Sequence, residues 1–277
     1  MIICDAKTII KVFRIIVERS TANNREIDVK MTAPNNPHDD HNSRPLLVFI
    51  HGWSCRASDW DDTLAAIRPI LETQYQILAP DLPDHGDQPP ALADASIAGL
   101  ADWLLTHLKA ADKVSLVGHS MGGCVALEAA ARLGERAKQV ILVDTFGLPY
   151  GDMDSATIAS IEAPFHSDFA AAMHYLVDNT TPATLDSSTR NWIKTRMASA
   201  APEKMLPIWH NLLRWSPDNA FSRIQCPIHA INGEHIPTLA QARCAPYVYS
   251  RVLAGCHHFP QFENPELFQH ALLDLLN

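Results

Sequence analysis

A serine hydroxyl is a poor nucleophile at neutral pH. It becomes a good one with a base in hydrogen-bond reach and a third group that orients the base. Ser120 has the local sequence for such a role. It sits in Val117-Gly118-His119-Ser120-Met121-Gly122-Gly123, which follows an apolar run and opens a helical stretch from Cys124 to Leu133, with Gly134 placed to cap its end. A serine at a tight strand-to-helix turn occupies strained backbone, and Gly118 and Gly122 remove the side chains that would collide around it. Its Oγ then projects above the sheet, and the N-terminus of the following helix favours negative charge nearby. G-x-S-x-G in a strand-turn-helix setting marks a nucleophile elbow.

With that motif the chain resembles the α/β-hydrolase superfamily, in particular its small capped members, and further motifs match along residues 45 to 275. His51-Gly52-Trp53 follows the apolar run Leu46 to Ile50, where the family carries its oxyanion loop. Asp81-Leu82-Pro83-Asp84-His85-Gly86-Asp87 is similar to the family's turn before its next helix, with Asp84 where a glycine is usual. Gly255-Cys256-His257-His258-Phe259, with Glu263-Asn264-Pro265 shortly after, lies where the family has its catalytic histidine. The resemblance implies His258 as the base among fourteen histidines, with His257 as the neighbouring alternative. It also implies the backbone N–H groups of Trp53 and Met121 as oxyanion donors, and no cofactor. His119 is expected as a filler beside the nucleophile and His51 as a brace of the oxyanion loop. Chelation by Cys256, His257 and His258 is disfavoured because adjacent residues rarely aim at one metal, so no metal site is expected.

The acid departs from the family pattern. Most relatives carry it after the strand corresponding to Ile228 to Ile231, in a form like Gly-Glu-x-Asp, but this segment reads Gly233-Glu234-His235-Ile236. Isoleucine cannot hold an imidazole tautomer. Asp144, at the end of the apolar run Val140 to Val143, is one replacement, in the place that haloalkane dehalogenases and zearalenone lactonases use; Glu234 is the other. Both fit the order serine, acid, histidine. Asp144 is favoured because carboxyl-edge strand ends face the crevice where ligands bind in open sheets.

The elements that must hold these residues are short apolar runs alternating with amphipathic stretches. Leu46 to Ile50, Ile77 to Ala79, Val114 to Val117, Val140 to Val143 and Ile228 to Ile231 lack polar alternation, as strands covered on both faces do. A last strand is expected at Arg251 to Leu253. The pattern predicts an α/β fold with a doubly wound, mostly parallel sheet. An N-terminal hairpin is expected from Lys11 to Val17 and Glu26 to Met31, followed by an exposed loop, Pro34 to Arg44. Between Asp144 and Ile228 helices are expected at Ile158 to Ile161, Asp168 to Val177, Arg190 to Ala198 and Met205 to Trp215. That stretch is too long for a loop and reads as an inserted helical cap, residues 146–222, on a core of residues 1–145 and 223–277. Trp53, Trp192, Trp209 and Trp215 are the candidate lining of an apolar substrate pocket.

Composition narrows the partners. The 277 residues carry a net charge of −9, with 47% hydrophobic and 19% charged residues, which suits a folded core and opposes docking on nucleic acid or anionic lipid. Met1 to Val17 is broken by Asp5, Lys7, Lys11 and Arg14, so no leader or spanning helix is expected there and a cytoplasmic location is. Six scattered cysteines suit reduced thiols. The expected partner is a small apolar substrate; oligomeric state stays open. The leading expectation is a serine hydrolase of an apolar or aromatic ester or lactone, with Ser120 as nucleophile. The alternatives are a cofactor-free ring-cleaving dioxygenase of a hydroxylated N-heteroaromatic, and a hydrolase-derived ligand receptor, suggested by Ile236. Carbon–carbon bond hydrolases and haloperoxidase-like proteins of the same fold also stay open.

Overall fold

A computed structural model describes residues 44–277 apart from 87, 89–93 and 109. The expected N-terminal hairpin, Cys4 and most of the following loop lie outside the described residues. Six strands form one sheet: β1 (Leu46–Ile50), β2 (Gln76–Leu78), β3 (Val114–His119), β4 (Ala137–Val143), β5 (Ile228–Asn232) and β6 (Val248–Val252). Their order is β2-β1-β3-β4-β5-β6 and every neighbouring pair is parallel.

The apolar runs have two destinations. Val48, Ile50, Leu116, Val140, Leu142 and Ala230 enter one core with helices α2 (Ile97–His107) and α3 (Met121–Leu133). Leu47, Phe49, Val117, Ile141, Val143 and Ile231 enter the other with α1 (Asp61–Leu71) and α11 (Pro265–Leu276). A strand covered on both faces has no solvent side, which is why its sequence shows no alternation. From β1 the chain steps outward to β2 and returns on the other side at β3, so the connections diverge at the carboxyl ends of β1 and β3. A crevice opens there. Ser120 follows β3 and Trp53 follows β1, which brings both to its mouth.

Between β4 and β5 the chain forms α4 (Ser155–Ser167), α5 (Phe169–Thr180), α6 (Ser187–Ala198), α7 (Pro202–Arg214) and α8 (Asp218–Arg223). Asp154, Asp168 and Asp186 start the first three: each carboxylate accepts the N–H three residues on, from Thr157, Ala171 and Thr189. Short α8 packs against α3, so the chain has rejoined the sheet's helical layer before β5 begins. Beyond β5 lie α9 (Thr238–Cys244) and, after β6, α10 (Pro260–Glu263). Among the described residues no helix is long and apolar enough to cross a membrane.

Candidate active site

Ser120 is the residue between β3 and α3, and its backbone has φ 52° and ψ −122°. A positive φ is costly for a side-chain-bearing residue, of the order of 1–3 kcal/mol, so the surroundings must impose it. They do so by close approach. A Cβ on Gly118 would lie 2.3 Å from the Gly122 carbonyl oxygen, and one on Gly122 would lie 2.3 Å from the Ile50 carbonyl oxygen. The Ser120 N–H donates to the Val143 carbonyl at 2.9 Å, which ties the turn to the end of β4.

Asp144 is the next residue along that strand, 4% exposed, also with a positive φ of 43°. Its N–H donates to the Ile231 carbonyl, and its Oδ1 accepts the Gly233 N–H at 2.8 Å. The other oxygen, Oδ2, lies 2.6 Å from His258 Nδ1. His258 Nε2 lies 3.1 Å from Ser120 Oγ. An ionised carboxylate only accepts, so the proton between Asp144 and His258 belongs to Nδ1 and Nε2 is free to accept from the serine.

The histidine loop is held from several sides. The His258 N–H donates to the Thr180 carbonyl at the end of α5, and its carbonyl accepts from His119 Nε2 at 2.8 Å. His119 is buried, and burial, then the nearby His258, pushes its pKa down to about 3. It therefore acts as a fixed neutral donor. The Glu263 carboxylate accepts the N–H groups on either side of His258, from His257 at 2.5 Å and from Phe259 at 3.2 Å. Burial pushes Glu263 up to about 7, against the pull of those two donors.

The other sequence candidates lie elsewhere. Glu234 accepts the Gly255 N–H at 2.9 Å and its own N–H donates to the Cys256 carbonyl, so it braces the histidine loop while Asp144 meets His258 Nδ1. Ile236 is buried in the core that holds α3. The His257 ring pairs with His235, their Nε2 atoms 2.9 Å apart, and Nε2 of His258 is the one that faces Ser120. His51 Nε2 accepts the Leu82 N–H and its Nδ1 donates to the Gly52 carbonyl, while burial lowers its pKa well below the ordinary value. It braces the loop after β1 as a neutral ring. Asp84 has φ 64°, the backbone conformation that favours glycine. The five described cysteines, Cys55, Cys124, Cys226, Cys244 and Cys256, are free thiols.

The loop after β1 is fastened to the helical insertion. Trp53 Nε1 donates to the Met205 carbonyl at 3.0 Å, and the ring stacks on Trp209 with centroids 4.3 Å apart and planes 14° apart. Ser54 Oγ donates to the Met197 carbonyl at 2.8 Å. Arg196 of α6 pairs with Asp59 at 3.0 Å and donates to Ser58 Oγ. Met121 opens α3, where the first N–H groups of a helix have no partner inside it.

A cavity of about 510 Å³, its mouth included, contains Ser120 and His258 in its lining together with Trp53, Leu176, Met197 and Trp209. Trp192 and Trp215 are not in that lining, contrary to the sequence expectation. Trp192 is 43% exposed, with its ring edge-on to Phe262 and the Arg196 guanidinium over its face. Trp215 ties the insertion to α3 instead, its Nε1 donating to Glu128 Oε1 at 2.8 Å. Leu148, Tyr150 and Leu176 also line the cavity, and nothing in the sequence marks them for it. Helical spacing shows that a face is apolar but not which neighbour it meets.

A family model described as the alpha/beta hydrolase family matches residues 47–271. Pimeloyl-[acyl-carrier protein] methyl ester esterase of Neisseria meningitidis serogroup B is 31% identical over 130 residues, 45% of this chain and 48% of that one. The chain spans less than half the length of such curated relatives. Two solved structures share the fold. A bromoperoxidase from Bacillus anthracis superposes with a TM-score of 0.73 at 20% identity, covering 84% of this chain and 92% of the other. An esterase from Exiguobacterium antarcticum gives 0.71 at 15% identity, with the same coverage of 84% and 92%. A match over nearly all of the described residues, on a parallel sheet with the serine turn after β3, makes this chain a member of the alpha/beta hydrolase family.

Proposed function

We propose that the protein is a serine hydrolase that cleaves a small apolar or aromatic carboxylic ester or lactone through an acyl-enzyme. The observation that carries this reading is the unbroken relay of Asp144 Oδ2 to His258 Nδ1 at 2.6 Å and His258 Nε2 to Ser120 Oγ at 3.1 Å. Ser120 Oγ bonds to the substrate carbonyl carbon as its proton passes to His258 Nε2, and Asp144 stabilises the imidazolium that results. The N–H groups of Trp53 and Met121 donate to the oxygen on which charge develops. Collapse breaks the bond to the leaving oxygen, which takes the proton from His258. Water, giving its proton to the same nitrogen, then releases the acid and frees Ser120. These steps call for no cofactor.

The indoles and aliphatic side chains around Ser120 support an apolar substrate, and the helices of residues 146–222 act as its lid. The names of the methyl ester esterase and of the Exiguobacterium esterase agree with ester chemistry. The case for a catalytically weak receptor rested on Ile236, and Asp144 supplies the carboxylate missing there. Labelling with a fluorophosphonate and hydrolysis of p-nitrophenyl acetate and butyrate test the reading. Wild type takes the label and turns over both esters; Ser120→Ala does neither. A folded wild-type protein that took no label and hydrolysed neither ester would not be a serine hydrolase.

A further inference from the structure

Beside the catalytic cavity runs a second cleft of about 460 Å³, open mouth included, between α4 and α5. Ile161, Pro164 and Phe165 line it from α4. From α5 come Ala172, Tyr175, Leu176 and Asn179, spaced as one face of a helix over two turns, a groove of about 10 Å. Apart from Tyr175 and Asn179 these side chains are apolar. The two spaces share a wall: Leu176 and Trp209 line both. Trp209 is fixed by its stack on Trp53. Leu176 is only partly buried and has no such anchor.

We propose that the α4–α5 cleft is a subsite for the tail of a linear acyl group, reached from Ser120 past the wall formed by Leu176 and Trp209. The inference rests on the serine hydrolase reading. An open apolar cleft in a packed protein leaves wall atoms short of contacts, which an apolar chain would restore. A groove that follows two turns of one helix is elongated along that helix, which suits an extended alkyl chain. Its shared wall with the serine's cavity, Leu176 and Trp209, puts the occupant within reach of a group bound at Ser120. Short acyl groups stay in the catalytic cavity, whereas longer ones bury their ends between Ile161, Phe165 and Ala172.

The test compares kcat/KM for p-nitrophenyl octanoate and butyrate in wild type, Ala172→Phe, the milder filling variant Ala172→Met, and Leu176→Ala. Each methylene buried is worth roughly fourfold. Filling the cleft with Ala172→Phe therefore lowers the octanoate-to-butyrate ratio at least tenfold, and Ala172→Met lowers it by a smaller factor. Thinning the wall with Leu176→Ala raises the ratio severalfold. Ratios within twofold of wild type in all three variants overturn the subsite and leave the hydrolase reading standing. Should wild type hydrolyse neither ester, that reading falls, and decanoate binding measured by tryptophan fluorescence decides the subsite. Tenfold weaker binding in a filling variant upholds it, and equal binding overturns it.

Discussion

Asp144 divides its carboxylate between two partners: Oδ1 accepts the Gly233 N–H at 2.8 Å while Oδ2 lies 2.6 Å from His258 Nδ1. The first contact fixes the rotation of the group and so aims the second. Asp144→Asn keeps the shape, but its amide oxygen is held by Gly233, which turns the NH2 toward His258. The ring then carries its proton on Nε2 and cannot accept from Ser120. Activity on p-nitrophenyl esters is expected to fall on the order of 10³–10⁴-fold. Glu234→Gln should stay within a fewfold of wild type, since the Glu234 carboxylate accepts the Gly255 N–H while Asp144 is the one at His258 Nδ1. The reverse result would move the acid to Glu234.

The turn at Ser120 makes a second prediction about backbone. Gly122→Ala places a methyl against the Ile50 carbonyl, which belongs to a central strand and cannot retreat. A loss of about 2–4 kcal/mol in urea unfolding is expected, together with loss of fluorophosphonate labelling. Full labelling at wild-type stability would mean that the close approach is looser than described.

Arg196 connects α6 to the segment after β1. Asp59 is 9% exposed, and burial raises its pKa against the pull of Arg56 N–H and Arg196. Arg196→Ala leaves that carboxylate short of a charged partner and should cost about 1–3 kcal/mol at neutral pH. If the clamp also positions the loop that carries Trp53, kcat falls more than KM rises. Unchanged kcat with reduced stability would restrict Arg196 to a folding role.

Glu263 gives a pH dependence whose sign can be worked out. Its pKa is raised from 4.5 to about 7, chiefly by burial, so the folded protein favours the protonated form. The groups facing it are the His257 and Phe259 N–H donors, the His258 imidazole and the Asp144 carboxylate. Stability from this residue is full below pH 4.5 and is lost as pH rises through 7. Glu263→Gln cannot ionise and escapes that loss. Relative to wild type it should be more stable at pH 8 than at pH 5 by about 1–3 kcal/mol, reduced by solvent screening of a partly exposed group. Equal differences at the two pH values, measured by thermal unfolding, would show that Glu263 titrates in the ordinary carboxylate range.

Much of the sheet was legible because its strands are covered on both faces. β1, β3, β4 and β5 lie on the apolar runs that announced them. The sequence points to a last strand at Arg251 to Leu253, but β6 occupies Val248–Val252, since an edge strand exposing Tyr249 and Val252 carries no continuous apolar run. Helix α6 was expected from Arg190 and begins at Ser187, because its start depends on the Asp186 cap and not on an apolar face. Ser120 stood out through its glycines, and Asp144 through its place at a strand end. The brace supplied by Glu263 was hidden. It acts on backbone N–H groups six and four residues away, contacts that leave no mark on the identity of His257 or Phe259. Trp192 and Trp209 look alike in sequence, and only the rotation of their helices, fixed by packing, separates an outer face from a cavity wall.

The fastening of the loop after β1 to the helical insertion limits how this protein can change. Trp53 and Ser54 each donate to a carbonyl of α6 or α7, so on the proposed reading the loop that offers the Trp53 N–H is aligned by the segment that would cover the substrate. A graft that replaced residues 146–222 with the insertion of a relative would move both backbone acceptors unless its helices ran in the same places. Such a chimera would be slow as well as altered in preference, and restoring its speed would call for changes at residues 53 and 54. On that reading selectivity and turnover in this chain would be inherited together.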